Sequence, residues 1–183
     1  MTPPAPPFSA IILAGGQGKR MGGRDKGLVK YNNKKFIDYI LSTLTPLCND
    51  IIISANRNIE TYRQYSSKVI GDTTEGFQGP LAGLAACLPY CDNEWVLVSP
   101  CDMPLLETSV FEKLGNEIAG HRLAAATTSQ KLQPVFLLQR SLHASIQQAL
   151  ENGQLRLMQW LKSQQPVMVN FSQKQLFTNF NQL

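Results

Sequence analysis

The sequence has few of the residues on which several common kinds of site depend. Its two histidines, His121 and His143, lie in no recognisable motif, so we expect both in packing or on the surface and not in a catalytic triad or a zinc site. The four cysteines lack the Cys-x-x-Cys spacing of zinc and redox sites. Because a chain of 183 residues is long enough to build a hydrophobic core, we expect these cysteines to be reduced and buried.

Long apolar runs are also missing. No stretch approaches the roughly 18–20 apolar residues that span a bilayer, so no membrane contact is expected. The first seven residues hold four prolines and no cation, whereas a secretory signal needs a basic start and an apolar core. We therefore expect residues 1–7 to be a disordered lead-in, residues 8–183 to form a single domain, and the protein to be cytoplasmic.

The positive charge is concentrated in one part of the chain. The formal net charge is only +4, yet seven of the 17 Lys and Arg lie between Lys19 and Lys35, where Asp25 is the only acid. A local excess of this kind favours a small polyanionic ligand over a broad nucleic-acid surface. No nucleic-acid partner is therefore expected.

Short apolar runs alternate with segments of helical spacing along the chain. Strands are predicted at 10–13, 51–53, 69–70, 95–99, 123–128, 134–138 and 167–171, and helices at 36–44, 57–67, 80–88, 110–118, 142–150 and 155–161. This order predicts an α/β fold with a mostly parallel central sheet and helices on both faces. In such sheets ligands bind beyond the carboxyl ends of the strands.

Glycines and polar residues follow several of the predicted strands. They are the 15–26 loop, residues 54–56, Asp72, the Gly79-Pro80 pair and Asp102. Because the carboxyl ends of parallel strands share one edge of the sheet, we expect these features to form one site there.

The most informative stretch, residues 13–26, reads Leu-Ala-Gly-Gly-Gln-Gly-Lys-Arg-Met-Gly-Gly-Arg-Asp-Lys. Its five glycines let backbone N–H groups approach a ligand closely, and its four cations suit a chain of phosphates. Neither the P-loop pattern nor the Gly-x-Gly-x-x-Gly dinucleotide pattern is present.

This string resembles the signature loop of the nucleotidyltransferases, and the form between Arg20 and Leu28 resembles that of the molybdenum cofactor guanylyltransferases. The resemblance covers most of the chain and is sharpest in the first 105 residues. It implies a single-domain Rossmann-like nucleotidyltransferase fold. It also implies Mg²⁺-dependent transfer of GMP from GTP to the terminal phosphate of molybdopterin, which releases pyrophosphate. Transient contacts with other proteins of molybdenum cofactor biosynthesis fit the same hypothesis.

The resemblance further implies roles for individual residues. Lys26 is the expected phosphate lysine, and Lys19 and Arg20 are expected on the β- and γ-phosphates, so that Lys26, Arg20 and Asp102 carry the catalysis. Asp102, in an Asp-Met-Pro sequence at a strand end, is expected to hold Mg²⁺, with a turn or helix-cap aspartate as the alternative. Asp72 is expected to bind nucleotide, with an Asx turn as the alternative.

Other residues would complete the two substrate sites. For GTP the resemblance adds Leu13, Ala14, Gly15, Gly16, Ser54, Asn56 and Gly79, with guanine read by backbone groups at residues 13–15 and 79–81. Ser54 stands where relatives often have asparagine and has a shorter reach. For the acceptor it adds Arg156, Asn179 and Asn181.

Three interpretations remain open at the level of sequence. The first is the guanylyltransferase, and the second is a cytidylyltransferase of the same fold that acts on a pterin or another phosphorylated acceptor. The third is a non-catalytic protein that binds nucleotide or pterin; the presence of both Lys26 and Asp102 argues against it. Asp25 is expected to order the loop through lysine or backbone contacts and not to bind metal.

Overall fold

The computed structural model describes residues 4–16, 25–72 and 79–180, and nine strands lie in these ranges. They are β1 (Phe8–Leu13), β2 (Lys30–Tyr31), β3 (Lys34–Lys35), β4 (Cys48–Ser54), β5 (Lys68–Ile70), β6 (Trp95–Pro100), β7 (Leu123–Thr128), β8 (Lys131–Gln139) and β9 (Val167–Asn170). Seven of them form one sheet in the order β5-β4-β1-β6-β8-β7-β9, and β2 and β3 form a separate hairpin.

The large sheet is mostly parallel, as predicted. β5, β4, β1 and β6 pair in parallel, and so do β7 and β9, whereas β8 is antiparallel to both of its neighbours. Ile11 and Ile12 in the middle of β1 are fully buried, because side chains alternate between two faces that are both covered.

Helices cover both faces of the sheet. They are α1 (Phe36–Leu44), α2 (Ile59–Tyr62), α3 (Pro80–Cys87), α4 (Thr108–Glu117), α5 (His143–Glu151) and α6 (Leu157–Ser163). Residues of α1 and α4 join Ile12 in one hydrophobic cluster, and residues of α3, α5 and α6 join Ile11 in the other. The predicted α/β class with helices on both faces is confirmed.

The helix predicted at 57–67 is much shorter than its pattern indicated. Only α2, four residues long, forms there, and Asn58 before it has a left-handed backbone with φ of 52°. A short polar residue such as asparagine tolerates this conformation, which starts the helix late.

The pairing between β6 and β8 stops before the carboxyl edge of the sheet. The two strands pair from Trp95 opposite Gln139 to Val98 opposite Phe136. Pro134, which has no N–H to donate, lies just beyond, where the pairing of β7 with β8 also shifts register. A space therefore opens beside the end of β6.

At the amino edge of the sheet, Asp50 is the centre of a polar network. Its carboxylate accepts hydrogen bonds from Ser9 Oγ at 2.6 Å, Lys68 Nζ at 2.8 Å and the N–H of Asp92 at 2.9 Å. Burial raises the pKa of Asp50, but these hydrogen bonds together hold it below the ordinary value.

In the part of the chain that the structure describes, no helix is long and apolar enough to cross a membrane.

Candidate active site

A cleft of about 750 Å³ lies at the carboxyl edge of the sheet. Ten of the residues that the sequence singled out line it: Leu13, Ala14, Gly15, Gly16, Lys26, Ser54, Asp72, Gly79, Asp102 and Arg156. They come from segments far apart in sequence, and the strand ends bring them together. Their roles toward a ligand remain predictions.

Lys26 and Asp102 are in direct contact at the floor of this cleft. The Lys26 ammonium lies 2.7 Å from Asp102 Oδ2, and the two side chains are 24% and 7% exposed. Asp102 lies in the turn after β6, where the N–H of Cys101 donates to the carbonyl of Leu13 at 3.2 Å. This turn therefore holds the carboxylate close to the end of β1.

The other carboxylate oxygen, Asp102 Oδ1, is buried and has no hydrogen-bond partner among the described residues. An unpartnered buried carboxylate oxygen is costly unless a donor or a cation meets it. Mg²⁺ takes one or two protein carboxylates and completes its shell with water and phosphate oxygens. Asp102 thus fits a magnesium ligand, although no group of three or more His, Cys, Asp or Glu that could hold a metal occurs among the described residues.

Asp25 makes contacts that suit a structural role and not metal binding. Its carboxylate is buried and accepts hydrogen bonds from Asn58 Nδ2 at 2.9 Å and from the Tyr62 hydroxyl. Arg57 Nε lies 3.8 Å from the same carboxylate. Among the described residues, side chains of residues 57–62 hold the Asp25 carboxylate. Its expected role in ordering the loop through lysine or backbone contacts stays a prediction, because residues 17–24 lie outside the described residues.

Asn56 and Asp72 form a two-way pair across the ends of β4 and β5. Asn56 Nδ2 donates to Asp72 Oδ2 at 2.8 Å, and the N–H of Asp72 donates to Asn56 Oδ1 at 2.7 Å. The Asp72 side chain is therefore fixed by a neighbouring strand end, a contact that the Asx-turn alternative does not contain.

Ser54 fits closely against α3. A Cβ atom built on Gly83 would lie 2.4 Å from Ser54 Oγ, so a larger residue at 83 would require the Ser54 side chain or the helix to shift. Close packing of this kind leaves little room on the side facing α3 for a side chain larger than serine at position 54.

Two of the backbone groups expected to read a base are already used by the sheet. The N–H of Ala14 donates to the carbonyl of Ser54 at 2.9 Å, and the carbonyl of Leu13 accepts from Cys101. On the opposite wall, Gly79 has φ of 87° and precedes Pro80 at the start of α3. A base in this cleft would therefore contact the remaining groups of residues 13–15 and 79–81.

The predicted acceptor residues are only partly brought together. Arg156 lines the cleft together with the exposed apolar side chains of Leu155 and Met158. Asn179 is exposed and does not line the cleft, but its neighbour Phe180 donates its N–H to the carbonyl of Asp102 at 2.9 Å. Lys19, Arg20 and Asn181 lie outside the described residues.

Several residues at the site were missed by the sequence analysis. They are Arg57, Asn58 and Tyr62 as supporting residues and Met158 as part of the cleft wall. The position of Arg57 and Asn58 directly after the 54–56 strand end was the one available signal for the supporting residues.

Three of the four cysteines are buried, as expected. Cys87, Cys91 and Cys101 are buried, Cys48 is half-buried, and all four are free. Burial raises the pKa of Cys87 and of Cys91 to about 12, so these thiols stay protonated at neutral pH. His143 Nε2 lies 3.0 Å from the carbonyl of Ala85 and joins α5 to α3.

The fold and its cleft define an α/β protein with an open cleft at the carboxyl edge of a mostly parallel sheet, the edge at which folds of this class bind their ligands. More specifically, the chain belongs to the family of MobA-like NTP transferase domains, which matches residues 10–167.

Comparison with curated proteins and with solved structures agrees with this family. The chain is 39% identical to the molybdenum cofactor guanylyltransferase of Shewanella halifaxensis, with 94% of this chain and 88% of the relative covered. It is 38% identical to the protein of the same name from Photobacterium profundum, with 98% and 93% covered. The crystal structure of molybdopterin-guanine dinucleotide biosynthesis protein A from Archaeoglobus fulgidus has the same fold, with a TM-score of 0.72, 23% identity and coverage of 95% and 92%.

Proposed function

We propose that this protein transfers the GMP group of GTP to the terminal phosphate of molybdopterin, giving molybdopterin guanine dinucleotide and pyrophosphate. Its membership of the MobA-like NTP transferase family and the names of its near-full-length relatives support the reaction. The observation on the molecule itself that carries the proposal is the Lys26–Asp102 contact inside the cleft. A cation and a buried carboxylate at one point suit a metal–triphosphate group.

In the proposed reaction, an oxygen of the acceptor's terminal phosphate forms a bond to the α-phosphorus of GTP. The bond between that phosphorus and the oxygen bridging to the β-phosphate breaks, and its electron pair leaves with pyrophosphate. Catalysis of such a step depends on alignment and on stabilisation of the developing charge. It needs no covalent intermediate on the protein, in keeping with buried, protonated cysteines.

We assign the roles as follows. Lys26 neutralises charge on the phosphates, and Asp102 holds Mg²⁺. When bound, the ion would offset negative charge on the triphosphate and the leaving pyrophosphate. Lys19 and Arg20 remain predicted contacts of the β- and γ-phosphates. The Asn56–Asp72 pair fixes the wall of the cleft on which the nucleoside rests.

The acceptor is assigned to the opposite side of the cleft. There Leu155 and Met158 give an apolar surface beside the Arg156 cation. A flat, anionic pterin suits such a combination, because its ring can lie against apolar atoms while the guanidinium meets its phosphate. The cytoplasmic location, the disordered lead-in and contacts with other proteins of the same biosynthesis stay predictions.

The proposal is tested by incubating the purified protein with Mg²⁺, molybdopterin and each of the four NTPs in turn, and measuring pyrophosphate release. We expect release with GTP, dependent on molybdopterin, and a guanine dinucleotide product by mass spectrometry. Release with CTP in preference to GTP would favour the cytidylyltransferase alternative. GTP binding without release under any acceptor tried would favour the binding protein.

A further inference from the structure

One short segment, residues 57–62, surrounds the carboxylate of Asp25. Asn58 and Tyr62 donate hydrogen bonds to its two oxygens, and Arg57 Nε lies 3.8 Å from Oδ2. The Asp25 side chain is only 5% exposed. Because a buried carboxylate needs partners of this kind, the segment and Asp25 act as one unit.

Arg57 makes a second contact on the other side of the signature loop. Its Nη2 donates to the carbonyl of Gly16 at 3.3 Å. Gly16 and Asp25 are the residues on either side of the 17–24 stretch of the sequence. The planar guanidinium offers donors in a fixed fork, so a single side chain sets the relation between these two positions.

Asp25 in turn leads directly into Lys26. The N–H of Leu28 donates to the carbonyl of Asp25 at 3.1 Å, closing a helical turn that begins at Lys26. A Cβ atom on Gly27 would lie 2.4 Å from the Tyr62 hydroxyl oxygen, so the backbone of this turn rests against Tyr62. Because Asp25 is held in place, the backbone position from which the Lys26 side chain reaches Asp102 is also held in place.

We propose that Arg57 is a positioning residue for the triphosphate of the nucleotide. It holds Gly16 and Asp25 at a set separation and, with Asn58 and Tyr62, directs Lys26 toward Asp102. Arg57 is not one of the residues that line the cleft, so it acts through these neighbours. The inference rests on the proposed function, since it takes Lys26 as part of the phosphate site.

The test compares Arg57→Gln with Arg63→Gln, a matched loss of an arginine whose side chain is more than half exposed and pairs with the exposed carboxylate of Glu60. Calorimetry measures the binding of GTP, of pyrophosphate and of guanosine, and thermal unfolding measures the stability of each free protein. We expect Arg57→Gln to weaken binding of GTP and pyrophosphate and to leave guanosine affinity unchanged. We expect its kcat/KM for GTP to fall about 10- to 100-fold, as for other losses of alignment, while Arg63→Gln behaves as wild type.

Two further variants keep the test decisive. Arg57→Lys retains the cation but loses the fork, and we expect GTP binding between wild type and Arg57→Gln. Tyr62→Phe removes a hydrogen bond to Asp25, and its effect on pyrophosphate binding should not add fully to that of Arg57→Gln, because both act through Asp25. Equal loss of guanosine and pyrophosphate binding, or wild-type binding of both by Arg57→Gln, overturns the inference. If wild type itself binds no GTP, the proposed function has failed instead.

Discussion

The ammonium of Lys26 lies on one oxygen of Asp102, the carboxylate that we assign to the metal, at 2.7 Å. A divalent cation held by Asp102 would therefore lie close to the Lys26 ammonium, and the two positive charges would compete for the same carboxylate. Under the proposed function, the nucleotide phosphates would offer Lys26 an alternative partner.

Replacing Lys26 should consequently have two opposite effects. Lys26→Ala should raise the affinity of the nucleotide-free protein for Mn²⁺, measured by electron paramagnetic resonance, because a competing cation is gone. The same variant should slow pyrophosphate release by about 10- to 100-fold, since one charge-assisted phosphate contact contributes about 1.5–3 kcal/mol. Lys30→Ala, which removes an exposed lysine of the β2–β3 hairpin, serves as control. An unchanged Mn²⁺ affinity in Lys26→Ala would argue against competition at Asp102.

Asp102→Asn separates catalysis from binding. Asparagine has nearly the same shape but no charge, so the fold should persist, transfer should largely stop, and calorimetric GTP affinity should fall less than the rate. Asp92→Asn, at an aspartate whose side chain is 71% exposed, is the matched control. If Asp102→Asn keeps more than about a tenth of the wild-type rate, a loss below ~1.4 kcal/mol in the barrier, the essential ligand lies elsewhere.

The preference of the cleft for guanine or cytosine can be measured from thermal stability alone. If the cleft recognises guanine, GTP should raise Tm much more than CTP at equal concentration, because a ligand at about 100 times its Kd adds roughly 2.7 kcal/mol to the free energy of unfolding. Differential scanning fluorimetry over a concentration series gives both values. Equal protection by the two nucleotides would contradict the guanylyl assignment and leave the fold untouched.

Gly83 and Ser54 should show strong coupling. Gly83→Ala places a methyl group against Ser54 Oγ and should lower the free energy of unfolding by about 1–3 kcal/mol, as for other overpacked sites. In a Ser54→Ala background the nearest remaining atoms are 3.5 Å away, so Gly83→Ala should there be neutral, or stabilising by up to about 1 kcal/mol through helix propensity. Denaturant unfolding of the four proteins measures this coupling, and additive effects would show that the contact is unimportant.

Asp50 should contribute to stability in a way that depends on pH. Its pKa is lower in the folded protein than in the unfolded chain, so its contribution is complete above the unfolded pKa of about 3.9 and is lost as pH falls through the folded value. Asp50→Asn should therefore lower Tm at pH 6 and make less difference near pH 3. A deficit that stays constant across this range would mean that the charge of Asp50 is not what stabilises the fold.

The sequence allowed much of the architecture to be predicted because apolar runs, strand ends and glycines are local signals. Lys26 and Asp102 could be placed at one edge, since Asp102 directly follows one predicted strand and Lys26 closes the glycine-rich stretch that follows another. The contacts of Asp25 with Asn58 and Tyr62 could not, because they join residues 33 and 37 positions apart and leave no periodic trace. The position of Phe180 could not be predicted for the same reason: the centroid of its ring lies 4.9 Å from that of distant Tyr31.

The helix expected at 57–67 shows how a local pattern can mislead. The spacing of Tyr62 and Tyr65 resembles a helical face, but the hydroxyl groups of both tyrosines have partners elsewhere. Tyr62 reaches Asp25, and Tyr65 accepts a hydrogen bond from Lys35 at 3.1 Å. Tertiary contacts, and the left-handed backbone of Asn58, decided the conformation.

The Ser9–Asp50–Lys68 network lies at the end of the sheet opposite the cleft, and this separation has a practical use. A library of substitutions at these three residues can be screened for heat resistance alone, since none of them lines the cleft. Changes found there can then be combined with redesigned cleft walls at Leu155 and Met158, where a search for new acceptors would begin. One end of the sheet is therefore suited to changes that raise thermal stability, and the other end to changes in substrate specificity.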